Sequence, residues 1–217
     1  MSLKDTYKTV ADEAETLMIE KKSKFYSHVK PVQNEEEALE FLGRIRSENR
    51  DATHNVYAYV IDENNIFRYS DDGEPSGTAG MPVLDTIRKS GITDVIVVVT
   101  RYFGGTLLGT GGLVHAYGAS ARQGLAEAGV IIRKMCDIVS VKVSYDLVGK
   151  LQYKIAAENY GIEDTVYEND VTFYICSPQD RTKYLIEQLT DLTNGRAVIE
   201  ISDRKYIDMR DDEFYGS

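Results

Sequence analysis

Val139-Ser140-Val141-Lys142-Val143-Ser144-Tyr145 alternates apolar and polar residues with a period of two. That is the pattern of a β-strand with one buried face and one wet face. Asp146 follows as a helix cap, Val148, Leu151 and Ile155 share one helical face, and Gly161 is the expected stop. Ile162–Tyr167 and Val171–Ile175 read as a hairpin across Asn169-Asp170. Ser177-Pro178-Gln179-Asp180 predicts an N-cap with proline at the first helical position, ahead of Leu185, Leu189 and Leu192. Asn194-Gly195 ends that helix and Ala197–Ile201 supplies a last strand. The resulting order, β-α-β-β-α-β, is the split βαβ or ferredoxin-like pattern. It places a domain boundary near Asp137, giving domains of residues 1–137 and 138–217. The acidic stretch Asp211-Asp212-Glu213 reads as a solvated tail.

Upstream, Leu17–Ile19 and Phe25–Val32 read as strands around a polar turn, Lys21-Lys22-Ser23-Lys24. Asn34 followed by Glu37 resembles a capping box, and Ala38, Phe41, Leu42 and Ile45 predict a helix over about 35–49. Asn55–Ile61 and Ile66–Tyr69 form a hairpin across Asn64-Asn65, and Thr78–Ser90 reads as a helix stopped by Gly91. Val95–Thr100 lacks polar alternation, which suits a central strand covered on both faces. Leu113, Tyr117, Ala121 and Leu125 predict a helix over Gly112–Ala128, entered directly from a glycine-rich loop. The whole chain is therefore of the α+β class.

Composition narrows the function classes. The chain has 217 residues, 42% of them hydrophobic and 28% charged, so it can bury a core without staples. Its longest apolar run, Val95–Val99, is far short of a membrane span, and no membrane partner is expected. Two cysteines, Cys136 and Cys176, have no CxxC spacing, so neither a metal site nor a disulfide framework is expected, and the location read from this is cytoplasmic. The 25 basic and 35 acidic side chains give a net charge of −10. Residues 1–137 carry −4 and residues 138–217 carry −6, so any RNA-facing surface must be a small local patch.

Two segments stand out chemically. Ten of the 17 glycines lie between Gly73 and Gly118. Within that span, Thr100-Arg101-Tyr102-Phe103-Gly104-Gly105-Thr106-Leu107-Leu108-Gly109-Thr110-Gly111-Gly112 runs from a buried strand into a helix. Amides of Gly104, Gly105, Gly109, Thr110, Gly111 and Gly112 would face an anion there, with Arg101 as the charged contact. The spacing is neither a Walker loop nor a dinucleotide fingerprint. The second segment, Asp71-Asp72-Gly73-Glu74-Pro75-Ser76-Gly77-Thr78-Ala79-Gly80, offers Asp71, Asp72 and Glu74 as carboxylates for Mg²⁺ or general base work. Each segment has a purely structural reading: capping for the acids, tight turns and close packing for the glycines. His28, His54 and His115 have no visible third partner for a metal or triad. Lys21, Lys22 and Lys24 offer a phosphate contact or a solvated turn, and Tyr102-Phe103 a stacking pair or core.

Lys21-Lys22-Ser23-Lys24-Phe25, Asp51-Ala52-Thr53-His54-Asn55, Ser70–Gly80 and Thr100–Gly105 together closely resemble the YigZ/IMPACT family, in its bacterial two-domain branch. The chain departs from the family at His115, where Arg or Lys is more usual. The resemblance implies a ribosomal-protein-S-five-domain-2-like amino-terminal domain with a left-handed crossover, followed by the ferredoxin-like domain. Eukaryotic relatives bind a ribosome-associated activator of a translation-initiation kinase. The implied function is a non-enzymatic, translation-linked binding protein that contacts RNA or a ribosome-associated partner through its amino-terminal loops, without a cofactor. Two alternatives stand beside it: a small phosphorylated-ligand-binding protein or Mg-dependent enzyme built on the glycine loop and the three carboxylates, and an interaction module whose motifs only build the fold.

Overall fold

A computed structural model describes residues 5–210 and 213–214. The chain divides into two compact units. One is Lys8–Ile131; the other takes up the chain from Ile132 together with the amino-terminal residues to Tyr7. Asp137, the boundary expected from sequence, lies inside a single long strand.

The amino-terminal elements are β1 (Thr6–Val10), β2 (Ala14–Glu20), β3 (Ser23–Pro31), α1 (Glu35–Glu48), β4 (His54–Ile61), β5 (Ile66–Ser70), α2 (Gly80–Lys89), β6 (Val95–Tyr102) and α3 (Gly109–Glu127). Five strands form an antiparallel sheet in the order β2-β3-β6-β4-β5. β6 is buried along nearly its whole length because helices cover both faces, which explains its unbroken apolar run. Phe25, Val29, Val56, Ala58 and Val95, Val97, Val99 point to one face and pack with Val83, Leu84, Ile87 of α2 and Leu113, Tyr117, Ala121 of α3. Ile96, Val98, Tyr59 and Ile61 point to the other face, under Ala38, Phe41, Leu42 and Ile45 of α1.

Local signals account for several boundaries. Asn34 caps α1 by accepting from the Glu37 amide at 2.9 Å, and Glu37 accepts from the Gln33 amide at 2.8 Å. Asn64 and Asn65 both take left-handed φ, 61° and 52°, in the β4–β5 turn. Gly91, φ 67°, follows α2. α3 begins at Gly109, three residues ahead of expectation, so Gly109, Thr110, Gly111 and Gly112 form its first turn rather than a loop.

The second unit holds β7 (Val130–Val143) from Ile132 onward, α4 (Tyr145–Ala157), β8 (Gly161–Tyr167), β9 (Val171–Pro178), α5 (Gln179–Leu192), β10 (Val198–Arg210) and β11 (Glu213–Phe214). Its core strands lie in the order β10-β7-β9-β8, the ferredoxin-like arrangement, with β11 on the far side of β10. Val139, Val141, Val143, Phe173 and Ile175 meet Leu147, Leu151, Ile155, Leu185 and Leu189 in one core. Three details differ from the sequence reading. Ser144, not Asp146, is the N-cap of α4, and Asp146 in the first turn bonds the Ser144 hydroxyl. Asn159, φ 55°, makes the left-handed turn after α4, so Gly161 opens β8 instead. Pro178 is the N-cap of α5 rather than its first helical residue, because β9 continues to that position. Of the expected acidic tail, Asp211 and Asp212 lie outside the described residues, and Glu213 is in β11.

Buried titratable groups show what the interior does to ionisation. Against the upward pull of its burial, the Arg204 guanidinium at 2.8 Å holds the Asp137 carboxyl below the usual range. Burial pushes the Cys136 thiol up to about 12 and the Cys176 thiol up to about 11, so both remain protonated and unreactive at neutral pH. His28 is buried with its Nε2 unpaired and its Nδ1 3.1 Å from Glu15. Burial lowers its pKa, outweighing the opposing pull of Glu15. The unfolded chain therefore binds a proton at His28 more readily than the folded one, so acidification below the ordinary histidine value of 6.5 costs stability. The expected result is a stability difference between wild type and His28→Gln that shrinks as pH falls from 7.5 to 5. A difference independent of pH in paired denaturation curves would contradict this.

Candidate functional site

The loop Asp71–Gly80 is built by its own carboxylates. Asp71 Oδ1 accepts from the Ala79 and Gly80 amides at 3.0 and 2.8 Å, and Oδ2 accepts from the Gly77 amide at 2.9 Å. It thus draws the loop shut over the start of α2, which has no side-chain cap of its own. Asp72, φ 45°, accepts from the Asn55 amide at 2.7 Å and from Arg46 at 2.9 Å. Its carbonyl bonds His54 Nδ1 at 2.8 Å.

Glu74 enters the interior. Its Oε1 accepts from Arg101 at 2.5 Å and from the Tyr117 hydroxyl at 2.8 Å, and His54 Nε2 lies 3.7 Å away. The Glu74 and Arg101 side chains are only 4% and 6% exposed. Arg101 also sits over the Phe25 ring at 5.4 Å and reaches Ser23 Oγ at 3.4 Å. Burial, followed by the Glu74 charge, raises the Tyr117 pKa, so its phenol stays a donor. The Arg101 guanidinium, expected at the mouth of an anion cradle, is therefore committed to Glu74 beneath the sheet. Period two explains this: Arg101 continues the row Val95, Val97, Val99 that faces α2 and α3.

The glycines divide by role. A Cβ at Gly80 would lie 2.7 Å from the Ser70 carbonyl carbon, and one at Gly104 would overlap the Lys22–Ser23 peptide. Gly105 and Gly109 have φ of 79° and 75°, while Gly111 has neither constraint. Thr110 and Gly111 are exposed in the first turn of α3. Of the three acids, Glu74 is the one that pairs with Arg101, while Asp71 holds its own loop and Asp72 binds Arg46 and the Asn55 amide; Gly109 to Gly112 lie on a helix end.

Another surface is brought together by register alone. Lys24 lies opposite Tyr102 and Tyr26 opposite Thr100, with Leu17 and Ile19 of β2 across from Tyr26 and Lys24. These residues share the sheet face whose β4–β6 part α1 covers. The β2–β3 side remains open, with Leu17 and Ile19 exposed. At its margin a cleft of about 470 Å³ is lined by Lys22, Lys24, Tyr26, Tyr102, Phe103, and Asn49 and Asp51 from the end of α1. Tyr26 and Tyr102 meet edge to face at 5.9 Å, and Phe103 is 47% exposed. The Tyr102 hydroxyl donates to Asn49 at 2.9 Å, and burial together with Asp51 raises its pKa. The floor is held from below, where Ser23 Oγ accepts from the Gly104 amide at 3.2 Å. Lysines and aromatic rings on one open face are the chemistry of single-strand recognition. Tyr26 was not singled out from sequence, since one tyrosine in a strand carries no signal before its neighbours are known.

Comparison with other proteins follows these boundaries. A profile of the Impact N-terminal domain matches residues 21–125, and one of a domain of unknown function, DUF1949, matches residues 141–196. The chain is 39% identical over 204 residues to the IMPACT family member YvyE of Bacillus subtilis, covering 94% of each chain. It is 32% identical to the IMPACT family member YigZ of Escherichia coli, covering 81% of this chain and 87% of that one. The Protein IMPACT homolog of Dictyostelium discoideum matches at 42% identity over 101 residues, 44% of this chain and 29% of that protein. A crystal structure of a hypothetical protein, 28% identical, superposes with a TM-score of 0.59 over 93% of this chain and 99% of that one.

Proposed function

The chain belongs to the IMPACT family, and from that premise we propose that it is a translation-linked binding protein whose amino-terminal domain contacts single-stranded RNA at the open face of its sheet. The observation that carries this reading is the cleft that gathers Lys22, Lys24, Tyr26, Tyr102 and Phe103. Two lysines can follow a phosphate backbone while the exposed ring offers a stacking platform for unpaired bases. The link to translation rests on the family resemblance. The cleft also answers the chief objection from charge: a chain of net −10 must bind RNA, if at all, at a confined patch.

The rival reading, a Mg-dependent enzyme or small-phosphate site, needs Asp71, Asp72 and Glu74 to turn their oxygens toward solvent. The contacts of those carboxylates bind loop amides, Arg46, Arg101 and Tyr117 instead.

Fluorescence anisotropy with labelled oligouridine at low salt tests the proposal. Phe103→Ala should weaken binding about 5- to 150-fold, the range for one stacked base at 1–3 kcal/mol. Lys22→Ala and Lys24→Ala should each reduce the salt slope by about 0.7. Binding that ignores all three substitutions would place RNA elsewhere, and no binding even at low salt would remove the reading. Ribosome co-sedimentation of wild type against Phe103→Ala then tests the link to translation.

A further inference from the structure

The second large groove lies on the opposite side of the sheet, between α2 and α3, and none of the cleft residues above lines it. α2 leads into β6 and α3 leads out of it, so the two helices run in the same direction over the sheet. They touch where Thr86 Oγ1 approaches the Gly118 carbonyl at 3.4 Å, a position that Gly118 keeps free of any side chain. Residues four apart on each helix line the groove: Met81, Asp85 and Lys89 on α2, and Val114, Gly118 and Arg122 on α3. Eight residues of helix span about 12 Å. The groove, of about 560 Å³, is thus apolar at the Met81–Val114 end and basic at the Lys89–Arg122 end.

The charge of this groove runs against the net −10 of the chain. Asp85 is the one carboxylate among the lining residues, against Lys89, Arg122 and His115. Among the described residues, Lys89 and Arg122 have no ion-pair partner, whereas Arg44, Arg46 and Arg101 are each paired. Two unpaired cations at one end of a groove, on a chain of net −10, complement a negatively charged occupant. Lys89, Val114, His115 and Arg122 are all exposed, so the groove is open along its length. A small molecule lying there would be covered on one side only, short of the enclosure small ligands receive. A segment anchored in a larger partner does not need that enclosure, and grooves between helices accept apolar anchors at helical spacing.

We infer that the α2–α3 groove docks an acidic amphipathic segment of a partner protein. Its aliphatic anchor seats between Met81 and Val114, and carboxylates about two turns further on meet Lys89 and Arg122. This site is independent of the RNA-facing cleft and stands or falls separately from it.

A random dodecapeptide display library selected on the intact chain tests the inference. The expected result is enrichment of peptides that combine an aliphatic residue with Asp or Glu. Their affinity should fall at least tenfold for Lys89→Glu/Arg122→Glu and be restored in part by peptides with Lys in place of Glu. Both substituted side chains are exposed, and an unchanged thermal midpoint confirms that the variant folds. Lys22→Ala/Lys24→Ala should leave the affinity unchanged. Enriched peptides without acidic residues, peptides indifferent to the charge reversal, peptides that depend on Lys22 and Lys24, or no enrichment would each overturn the inference.

Discussion

Glu74→Gln is expected to lower the stability of the amino-terminal domain by about 3–5 kcal/mol, the cost of leaving one member of a buried ion pair without its partner. The substitution is nearly isosteric, so the loss is electrostatic. Arg101 would remain at 6% exposure with its Nε already unpaired and, among the described residues, no other ion-pair partner. Tyr117 would keep a neutral acceptor in place of a charged one, a smaller loss of about 1 kcal/mol. The pair is not thereby shown to stabilise the fold. Most of the cost comes from the stranded buried charge, so removing that charge as well, in Glu74→Gln/Arg101→Met, should recover most of the loss. Denaturant titration of the two single variants and the double variant gives the coupling energy directly. A cost for Glu74→Gln below about 1 kcal/mol would mean that water reaches the pair, contrary to the packing of Phe25 and Tyr117 around it.

This pair also marks where sequence reading stops. Elements whose information is local are legible: Asn34 and Glu37 announce α1, and the apolar run at Val95 announces a doubly covered strand. The order β10-β7-β9-β8 follows from the spacing of strands and helices in the second half. β7 was visible only from Val139, where one face is wet; its first half has no clean alternation because Met135, Cys136 and Asp137 are all buried. The start of α3 was missed because glycines carry no helix signal and Leu108 offers no cap. At the site, the alternation that carries Val95, Val97 and Val99 inward already places Arg101 on the same inner face. What it could not supply was Glu74, 27 residues earlier, waiting there as the partner. The open cleft was hidden for the same reason. Lys21-Lys22-Ser23-Lys24 reads alone as a turn and Tyr102-Phe103 alone as core, and only the pairing of Lys24 with Tyr102 joins them.

The junction of those two motifs should fail most sharply at Gly104. An alanine there would put its Cβ into the Lys22–Ser23 peptide, and the obstacle is backbone, not the end of a flexible side chain. Lys21 and Lys22 already hold left-handed φ of 44° and 68°, so the turn has little freedom to retreat. Gly104→Ala should therefore cost about 3 kcal/mol, the upper part of the range for overpacking. It should also break the Gly104 amide bond to Ser23 and displace Lys22 from the cleft, so RNA affinity should fall with stability. Neighbouring glycines supply the controls. Gly105 has open space but φ 79°, so Gly105→Ala carries only the left-handed penalty of about 1–2 kcal/mol. Gly111 has open space inside α3 and no positive φ, so Gly111→Ala should stabilise by about 0.5–1 kcal/mol. Thermal and denaturant midpoints for the three variants should rank Gly111→Ala above wild type, then Gly105→Ala, then Gly104→Ala. Equal losses at all three would mean that the glycines serve flexibility in common. The graded order would mean that Gly104 is required by the close approach of two backbones, and that approach positions Lys22 beside Phe103.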